Sequence, residues 1–132
     1  MIWESEFIYD KLPGYPSCHG STIGRRPNGE LISAWFGGSQ ENAPDTVVLF
    51  GRKPPGAKEW QDIRPVFGMH DDKPYGNAAL MVESGSDDSP ECIWLFFIRS
   101  EGRTGRGWCA DCVSYVSRSL DGGRTRAEPE II

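Results

Sequence analysis

Cys109 and Cys112 have the spacing in this sequence that is most suggestive of chemistry. A C-x-x-C pair can cycle through a disulfide or hold a metal ion. A structural zinc site needs four ligands, commonly from two such pairs, and the sequence contains one pair. Thioredoxin-like chemistry needs the pair at the start of a helix, and no helical pattern lies nearby. We therefore expect ordinary thiols here, and small strand or loop residues at Cys18 and Cys92.

A second polar cluster predicts a tight turn between two strands. The segment Ser119-Leu120-Asp121-Gly122-Gly123-Arg124-Thr125 has the pattern Ser-x-Asp-x-Gly-x-Thr of an Asp-box. The carboxylate of Asp121 can accept hydrogen bonds from the backbone of its own loop, and the two glycines can adopt positive φ. An aromatic residue usually follows the Thr and fills the interior of the sheet, whereas this sequence has Arg126.

This turn has a fainter copy upstream. Residues 51–60 align without a gap on residues 117–126, so that Arg52 meets Arg118 at an offset of 66 residues (118 − 52). Gly56 aligns with Gly122, and Trp60 falls where the aromatic residue is expected. Internal repetition predicts a repeated architecture, in which Trp60 fills the interior of the first unit.

The composition favours short strands and excludes several classes of partner. Sixteen Gly and ten Pro in 132 residues fit strands and turns better than helices, in what is normally one domain. The net charge of −5 argues against nucleic acid as a general partner. No run approaches the roughly 18 apolar residues of a membrane helix, no cofactor is predicted, and no signal peptide is visible. If Met1 is the true start, the last observation predicts a cytoplasmic protein.

The predicted strands form two similar units. In the first unit, strands 21–25 and 30–36 flank Asn28-Gly29, which is a strong hairpin signal. The near-continuous apolar character of 30–36 predicts burial on both faces. The remaining strands of the two units are predicted at 45–52, near 60–66, and at 77–83, 91–99 and 112–118. Residues 130–132 stand where a further unit would begin.

The chain resembles the sialidase-like proteins with a BNR-repeat-like domain, from about residue 15 to 129. Besides the Asp-box, the segment Ser17-Cys18-His19-Gly20-Ser21-Thr22-Ile23 is similar to the pattern Ser-x-His-x-Ser-Thr-Ile of that group. Pro27-Asn28-Gly29-Glu30-Leu31, Ala34-Trp35-Phe36-Gly37-Gly38, Gly76-Asn77 and Trp94-Leu95-Phe96-Phe97 are similar to further segments of the group. The resemblance implies an all-β fold, a six-bladed β-propeller of four-stranded antiparallel sheets with a glycan site at its axis.

On this interpretation residues 1–132 are a partial propeller of about two blades. Blade one covers about residues 17–66 and blade two about 77–132, and residues 1–12 could supply a strand that closes the ring. Because propellers need roughly four to eight blades, two blades leave apolar edges exposed. Two explanations stay open: the chain is part of a longer protein, or several copies assemble into a ring. The open edges also predict self-association.

The resemblance implies a catalytic role for Asp45, which follows the loop that carries the acid/base Asp of sialidases. Such a carboxyl needs a raised pKa, which Trp35 and Phe36 would supply if they lay nearby. The alternative is that Asp45 caps the amides of its own loop. The Tyr–Glu nucleophile pair and the later arginines of sialidases would lie on blades beyond residue 132.

His19, Asn77 and Arg99 are the predicted substrate contacts. His19-Gly20-Ser21 stands where sialidases have Arg-Ile-Pro, and because His binds anions only when protonated, sialic acid itself is disfavoured as the ligand. Asn77 opens the first strand of blade two much as His19 opens that of blade one, and its amide could contact sugar hydroxyls or shape a turn. Arg99 could face an acidic sugar or be a solvated loop cation. Trp35 and Trp94 are interpreted as equivalent core residues of the two blades.

These residues predict a carbohydrate ligand and leave three functions open. The first is an exo-acting glycosidase that hydrolyses a terminal sugar. The second is a non-catalytic carbohydrate-binding or scaffold propeller, which the absence of Arg-Ile-Pro favours. The third is a lyase that acts on a uronic acid, with His19 as base or acid.

Overall fold

The chain folds into two four-stranded antiparallel sheets, which confirms the predicted fold class. The computed structural model describes residues 5–102 and 111–132. Blade one has the strand order β1-β2-β3-β4 and blade two the order β5-β6-β7-β8. The strands are β1 (Ser17–Arg25), β2 (Leu31–Gly38), β3 (Val47–Lys53), β4 (Gln61–Phe67), β5 (Tyr75–Glu83), β6 (Cys92–Ser100), β7 (Cys112–Ser119) and β8 (Glu130–Ile131).

Two strand predictions need correction. β1 begins four residues before the predicted Ser21, because the strand continues through an irregularity between His19 and Thr22 rather than ending there. Residues 130–131 do not begin a further unit. They pair with Tyr115 and Val116 of β7 and so complete blade two as its fourth strand.

The predicted Asn-Gly hairpin joins β1 to β2. Gly29 has φ of 86°, which a residue without a Cβ adopts at little cost, and its N–H donates to the carbonyl of Arg26 at 2.9 Å. The side chain of Asn28 accepts the N–H of Glu30 at 3.0 Å. Beyond the turn, β2 is buried from Ile32 to Gly38, as its apolar sequence predicted.

The main core lies between the two blades. Ile32, Val48 and Phe50 of blade one and Ile93 and Leu95 of blade two are all fully buried in it. Each large apolar side chain removed from water contributes roughly 1.5–3 kcal/mol, so this core stabilises the contact between the two blades. The alternation of β6 places Trp94, Phe96 and Ile98 on the opposite, more exposed face of blade two.

A second, smaller core covers the other face of blade one. Trp35, Val47 and Leu49 are buried there beneath side chains of the N-terminal segment, which are Ile8, Tyr9, Leu12 and Tyr15. Residues 5–16 form no strand in the structure but lie across this face. They thereby cover the apolar surface that an open first blade would otherwise expose.

Charged side chains join the blades at the edge that carries the hairpin turns. We call this edge the turn edge, and it comprises residues 26–30, 54–60, 84–91 and 120–129. The guanidinium of Arg26 pairs with Glu30 of its own blade and, at 2.7 Å, with Glu91 of blade two. Arg52 pairs with Asp62 at 3.1 Å and donates to the carbonyl of Gly122 in blade two at 3.1 Å. These bonds fix how the second turn sits against the first blade.

The Asp-box turn has the hydrogen bonds that its sequence predicts. The side chain of Asp121 accepts the hydroxyl of Thr125 at 2.6 Å and that of Ser119 at 2.7 Å, together with the backbone N–H groups of Arg124 and Thr125. The bond from the Thr125 hydroxyl is the largest of the contributions that hold the pKa of Asp121 well below its usual range. Gly56 and Gly122 have φ of 77° and 74°, as the gapless alignment of the two turns predicts for equivalent positions.

The interior of each turn is filled differently from the prediction. Trp60 is half-buried, and its indole donates to Glu6 of the N-terminal segment at 3.1 Å instead of entering the core of blade one. Arg126 occupies the position of the usual aromatic residue, and its guanidinium carbon lies 5.0 Å from the centre of the Phe50 ring. Its three nitrogens are buried and have no hydrogen-bond partner. Burial, followed by the nearby charge of Arg64, lowers the pKa of Arg126 to about 10.

We predict that Arg126→Met stabilises the protein by about 1–2 kcal/mol at neutral pH, because a buried unpaired charge costs more than its cation–π contact of about 1 kcal/mol returns. The folded pKa lies below that of the unfolded chain, so the unfolded state binds more protons and wild-type stability rises with pH above about 10. The advantage of the variant should therefore shrink above that pH. Urea unfolding of both proteins between pH 7 and 11 measures it, with Arg124→Met, an exposed neighbour, as control. A variant less stable than wild type at pH 7 would contradict the prediction.

We also expect the far face of blade two to drive self-association. Met81 on this face is 49% exposed and lies beside the half-buried Trp94 and Phe96. Sedimentation velocity should show mass that grows with protein concentration, and Met81→Lys should reduce it. Leu120→Lys, which changes an exposed apolar residue of the turn edge, should not. A wild-type monomer at every concentration would rule this association out.

Candidate functional site

The four residues predicted to act on a ligand lie at one edge of the two sheets. His19 and Asn77 stand near the starts of β1 and β5, Asp45 precedes β3, and Arg99 is next to the end of β6. In antiparallel sheets the starts of odd strands and the ends of even strands meet at the same edge. This edge, with the loops 39–46 and 68–74, is the loop edge, and it is opposite the turn edge.

His19 lies on β1, the first strand of blade one, and is exposed. Its ring stacks on Phe36 of β2, with centroids 5.6 Å apart and planes at 24°. The Nε2 atom is 3.0 Å from the hydroxyl of Ser17, which can donate or accept according to the tautomer of the ring. The stack and this bond orient the imidazole while leaving it accessible to a ligand.

A bulge interrupts the first strand of each blade at an equivalent place. The register shifts between His19 and Thr22 in β1 and between Gly76 and Ala79 in β5. Gly20 (φ of 61°) and Asn77 (φ of 48°) adopt the left-handed conformation there. Bulges re-aim side chains, and here the second bulge turns an exposed amide outward at the loop edge.

These bulges correct two predicted equivalences. The residue opposite the first bulge is Trp35, and the residue opposite the second is Phe97, so Trp35 corresponds to Phe97 and not to Trp94. Trp94 is half-buried, and its indole donates to Glu83 at 3.0 Å. Asn77 likewise matches Gly20, which is one residue after His19.

Asp45 is exposed and bound to its own loop. Its carboxylate accepts the N–H of Ser39 at 3.1 Å and the hydroxyl of Ser39 at 3.0 Å. The residue is exposed to solvent, so it does not have the buried, apolar surroundings that the sequence predicted for it. The neighbouring Thr46 is buried, and its carbonyl accepts the N–H of Tyr75 at 3.1 Å, which ties this loop to blade two.

Arg99 is held in a charged network. Its guanidinium pairs with Glu101 and, at 3.3 Å, with Asp71, and it lies 5.1 Å above the ring of Tyr115. Lys73 also pairs with Glu101, and Tyr75 donates to Asp71 at 3.0 Å. The network joins the loop after β4 to the end of β6. Two carboxylates already balance the charge of Arg99. The residue is therefore better suited to hold the loop edge in place than to bind a carboxylate of a ligand.

Sequence reasoning missed the residues that connect the two blades at this edge. The N–H of Tyr75 donates to the carbonyl of Thr46 at 3.1 Å and joins the blades, whereas the bond from the N–H of Ser100 to the carbonyl of Pro74 continues the pairing of β5 with β6 within blade two. Backbone groups form both bonds, so no pattern of side chains in the sequence predicts them. The only sequence signal for Asp71 was that charged residues stand next to it, and such groups of charges are common in loops.

Comparisons with known proteins bear on the whole of this architecture. The model of the BNR repeat-like domain matches residues 29–131. The chain belongs to the BNR repeat-like family. Among solved structures, a Hadza microbial sialidase, Hz136, is similar with a TM-score of 0.70 and 17% identity, over 90% of this chain and 26% of that one. A comparison with curated proteins finds no match.

The likeness to the sialidase concerns the fold, and this BNR repeat-like chain spans about a quarter of the length of that structure. Within the described residues, no group of His, Cys, Asp and Glu side chains is arranged to hold a metal ion. The same part of the chain contains no helix long and apolar enough to cross a membrane. Cys109 lies outside the described residues, so the expectation for the C-x-x-C pair stays a prediction, and Cys18 and Cys92 are free thiols.

Asn77 provides a test that separates its backbone role from its side-chain role. Asn77→Ala should destabilise the protein by about 1 kcal/mol, because a Cβ is disfavoured in the left-handed region, while Asn77→Gly should change stability little. Urea unfolding measures both. If the amide contacts a sugar, the Gly variant should lose affinity at unchanged stability. An Ala variant as stable as wild type would show that the bulge does not need this conformation.

Proposed function

We propose that the loop edge of these two blades forms part of a site that binds a terminal sugar and hydrolyses its glycosidic bond. Membership of the BNR repeat-like family and the gathering of His19, Asp45 and Asn77 at one edge support this proposal. The second observation carries it, because three exposed polar residues from separate segments of the chain lie at the same edge of the two sheets.

In the proposed reaction Asp45 is the general acid. Its carboxyl gives a proton to the glycosidic oxygen as the bond from that oxygen to the sugar carbon breaks, and water finally adds to the sugar carbon and gives up a proton to the Asp45 carboxylate, which restores the acid. In the structure the carboxylate accepts bonds from Ser39. Substrate binding must therefore release Asp45 from Ser39, or surround it with apolar groups, before it can hold the proton.

His19 and Asn77 would orient the sugar. An imidazole and a primary amide can each donate to and accept from hydroxyl groups, and both side chains are exposed at the loop edge. A permanent anion clamp is less well supported, since Arg99 is neutralised by Asp71 and Glu101. The same fact weighs against the lyase alternative, which needs a cation beside the uronate carboxylate.

A non-catalytic carbohydrate-binding propeller is the second candidate. The exposure of Asp45 and its bonds to Ser39 favour it, because a solvated, capped carboxylate is an ordinary loop feature. Glycan binding without turnover, unchanged by Asp45→Asn, would support this candidate over hydrolysis.

The complete protein with Asp45→Asn tests the catalytic role. We expect kcat to fall about 10²–10⁴-fold on a glycoside with an alkyl or sugar leaving group, and much less on a 4-nitrophenyl glycoside, whose leaving group needs little protonation. Asp72→Asn, which changes an exposed carboxylate on another loop of the same edge, is the matched control. Wild-type turnover of both substrates by Asp45→Asn would exclude the general acid.

A further inference from the structure

The outer face of blade one, which is turned away from blade two, is only partly covered. The N-terminal segment packs on Trp35, Val47 and Leu49 of this face. Towards the turn edge a cavity of about 710 Å³ remains between that segment and the sheet, and Ile23, which lines it, is 63% exposed. Ile23 pairs with Ser33, two residues from Trp35 on β2, so it belongs to the same face. Part of the outer face is therefore accessible to a partner.

The corresponding face of blade two shows what such a face packs against. Counted from the bulges, Ile23 corresponds to Leu80 and Trp35 corresponds to Phe97. Leu80 and Phe97 both pack in the core between the blades, and the ring of Phe97 stacks on Phe67 of blade one with centroids 4.6 Å apart. In blade two, this face is thus covered by a neighbouring blade. In blade one, the N-terminal segment covers part of it.

The far face of blade two is the matching surface. It corresponds to the face by which blade one packs on blade two, because the pair Phe96 and Val116 stands where blade one has the pair Ala34 and Phe50. Ala34 and Phe50 are fully buried, whereas Phe96 and Val116 are half-buried and Met81 beside them is 49% exposed. Each copy of the chain therefore has one incompletely covered face of each kind.

The turns of the two blades differ in size in a way that suits this pairing. Between the blades, Gly123 lies against the ring of Phe50, and a Cβ at Gly123 would come within 2.7 Å of that ring. The 66-residue offset places Ala57 at the position of Gly123 (123 − 57) and Val116 at that of Phe50 (116 − 50). In a contact between copies, a larger turn residue would therefore meet a smaller sheet residue. Such an exchange keeps the combined volume similar, as a packed interface requires.

An arginine and an open turn extend the match. Arg52 donates to the carbonyl of Gly122 at 3.1 Å across the blades. The equivalent of Arg52 is Arg118, which is exposed. The equivalent of Gly122 is Gly56, where an added Cβ would meet no described atom within 4 Å. Arg118 of one copy could thus donate to the carbonyl of Gly56 in another copy, as Arg52 does to that of Gly122 within the chain.

We propose that copies of this chain associate head to tail, with the far face of blade two in one copy packed on the outer face of blade one in the next. The contact repeats the one between the two blades of a chain, so it is heterologous and joins two different surfaces. This partner does not depend on the proposed hydrolysis.

The N-terminal segment competes with the second copy for the outer face. Four of its side chains occupy the part of that face around Trp35, and they are Ile8, Tyr9, Leu12 and Tyr15. Association therefore requires part of this segment to move, and the strength of its packing sets how readily the copies join.

Two variants that each block one face test the geometry. Ile23→Lys places a charge on the outer face of blade one, and Met81→Lys places one on the far face of blade two. Both positions are exposed, so the fold should tolerate either change. In sedimentation velocity each variant alone should associate less than wild type, whereas an equimolar mixture should form a 1:1 complex through the two intact faces.

Other geometries give different results in the same experiment. If the far faces of two copies paired with each other, Ile23→Lys would associate as strongly as wild type. That result, or a mixture that stays monomeric, would overturn the proposal. Leu120→Lys, at an exposed apolar position of the turn edge, is the matched control and should associate as wild type does.

The N-terminal segment provides a second test. Ile8→Ser removes apolar packing between the segment and the outer face, and it should raise the apparent association constant about tenfold. Phe7→Ser changes the neighbouring residue, which is 88% exposed, and should leave association unchanged. The gain should disappear when Met81→Lys is added, because the matching surface is then blocked, whereas non-specific adhesion of the loosened segment would persist.

Three results of this second test count against the proposal. They are no gain of Ile8→Ser over Phe7→Ser, a gain that survives Met81→Lys, and a monomer at every concentration for both wild type and Ile8→Ser. The last result would mean that something other than a second copy covers these faces.

Discussion

The close approach of the Asp-box turn to blade one is the constraint on which the arrangement of the two blades depends. A Cβ built on Gly123 would lie 2.7 Å from the ring of Phe50, and one on Gly122 would lie 2.7 Å from the guanidinium of Arg26. Both glycines also have positive φ. At Gly123 a larger residue would be excluded twice, by backbone strain and by collision with the buried ring of Phe50, whereas at Gly122 the positive φ is the main constraint because the end of the Arg26 side chain can move. The turn is thus a blade-to-blade contact as much as a hairpin tip.

The arginines around Phe50 follow from that contact. Arg52 and Arg64 use their donors on the carbonyls of Gly122 and Gly123, which the turn would otherwise bury unpaired. Arg126 lies on the same ring without a partner. Burial disfavours the charged form of Arg126, and repulsion from the nearby charge of Arg64 adds to this effect. Both lower the pKa of Arg126. The turn is thus held in one specific position, although the buried and unpaired Arg126 lowers the stability of the folded protein.

The two edges of the sheets consequently have different roles. The turn edge holds the blades together through buried charge pairs and carbonyl contacts. The loop edge is held by the backbone bond from Tyr75 to Thr46 and by the Arg99 network, which leaves His19, Asp45 and Asn77 exposed. A bulge near the start of β1 and another near the start of β5 bring residues of the innermost strands to that edge. A rigid contact at one edge thereby supports accessible side chains at the other.

Local rules determined much of this protein from its sequence alone. The Asn28-Gly29 hairpin, the buried β2, the hydrogen bonds of Asp121 and the 66-residue offset between the turns depend on neighbours in the chain, so residue types reveal them. Tertiary structure alone decided the rest. Trp60 meets Glu6, Arg126 covers Phe50, and Arg99 is neutralised by Asp71, because partners distant in sequence supply those surroundings. The bulges, which only the pairing of strands reveals, match Trp35 to Phe97 because each of these residues lies opposite the bulge of its own blade.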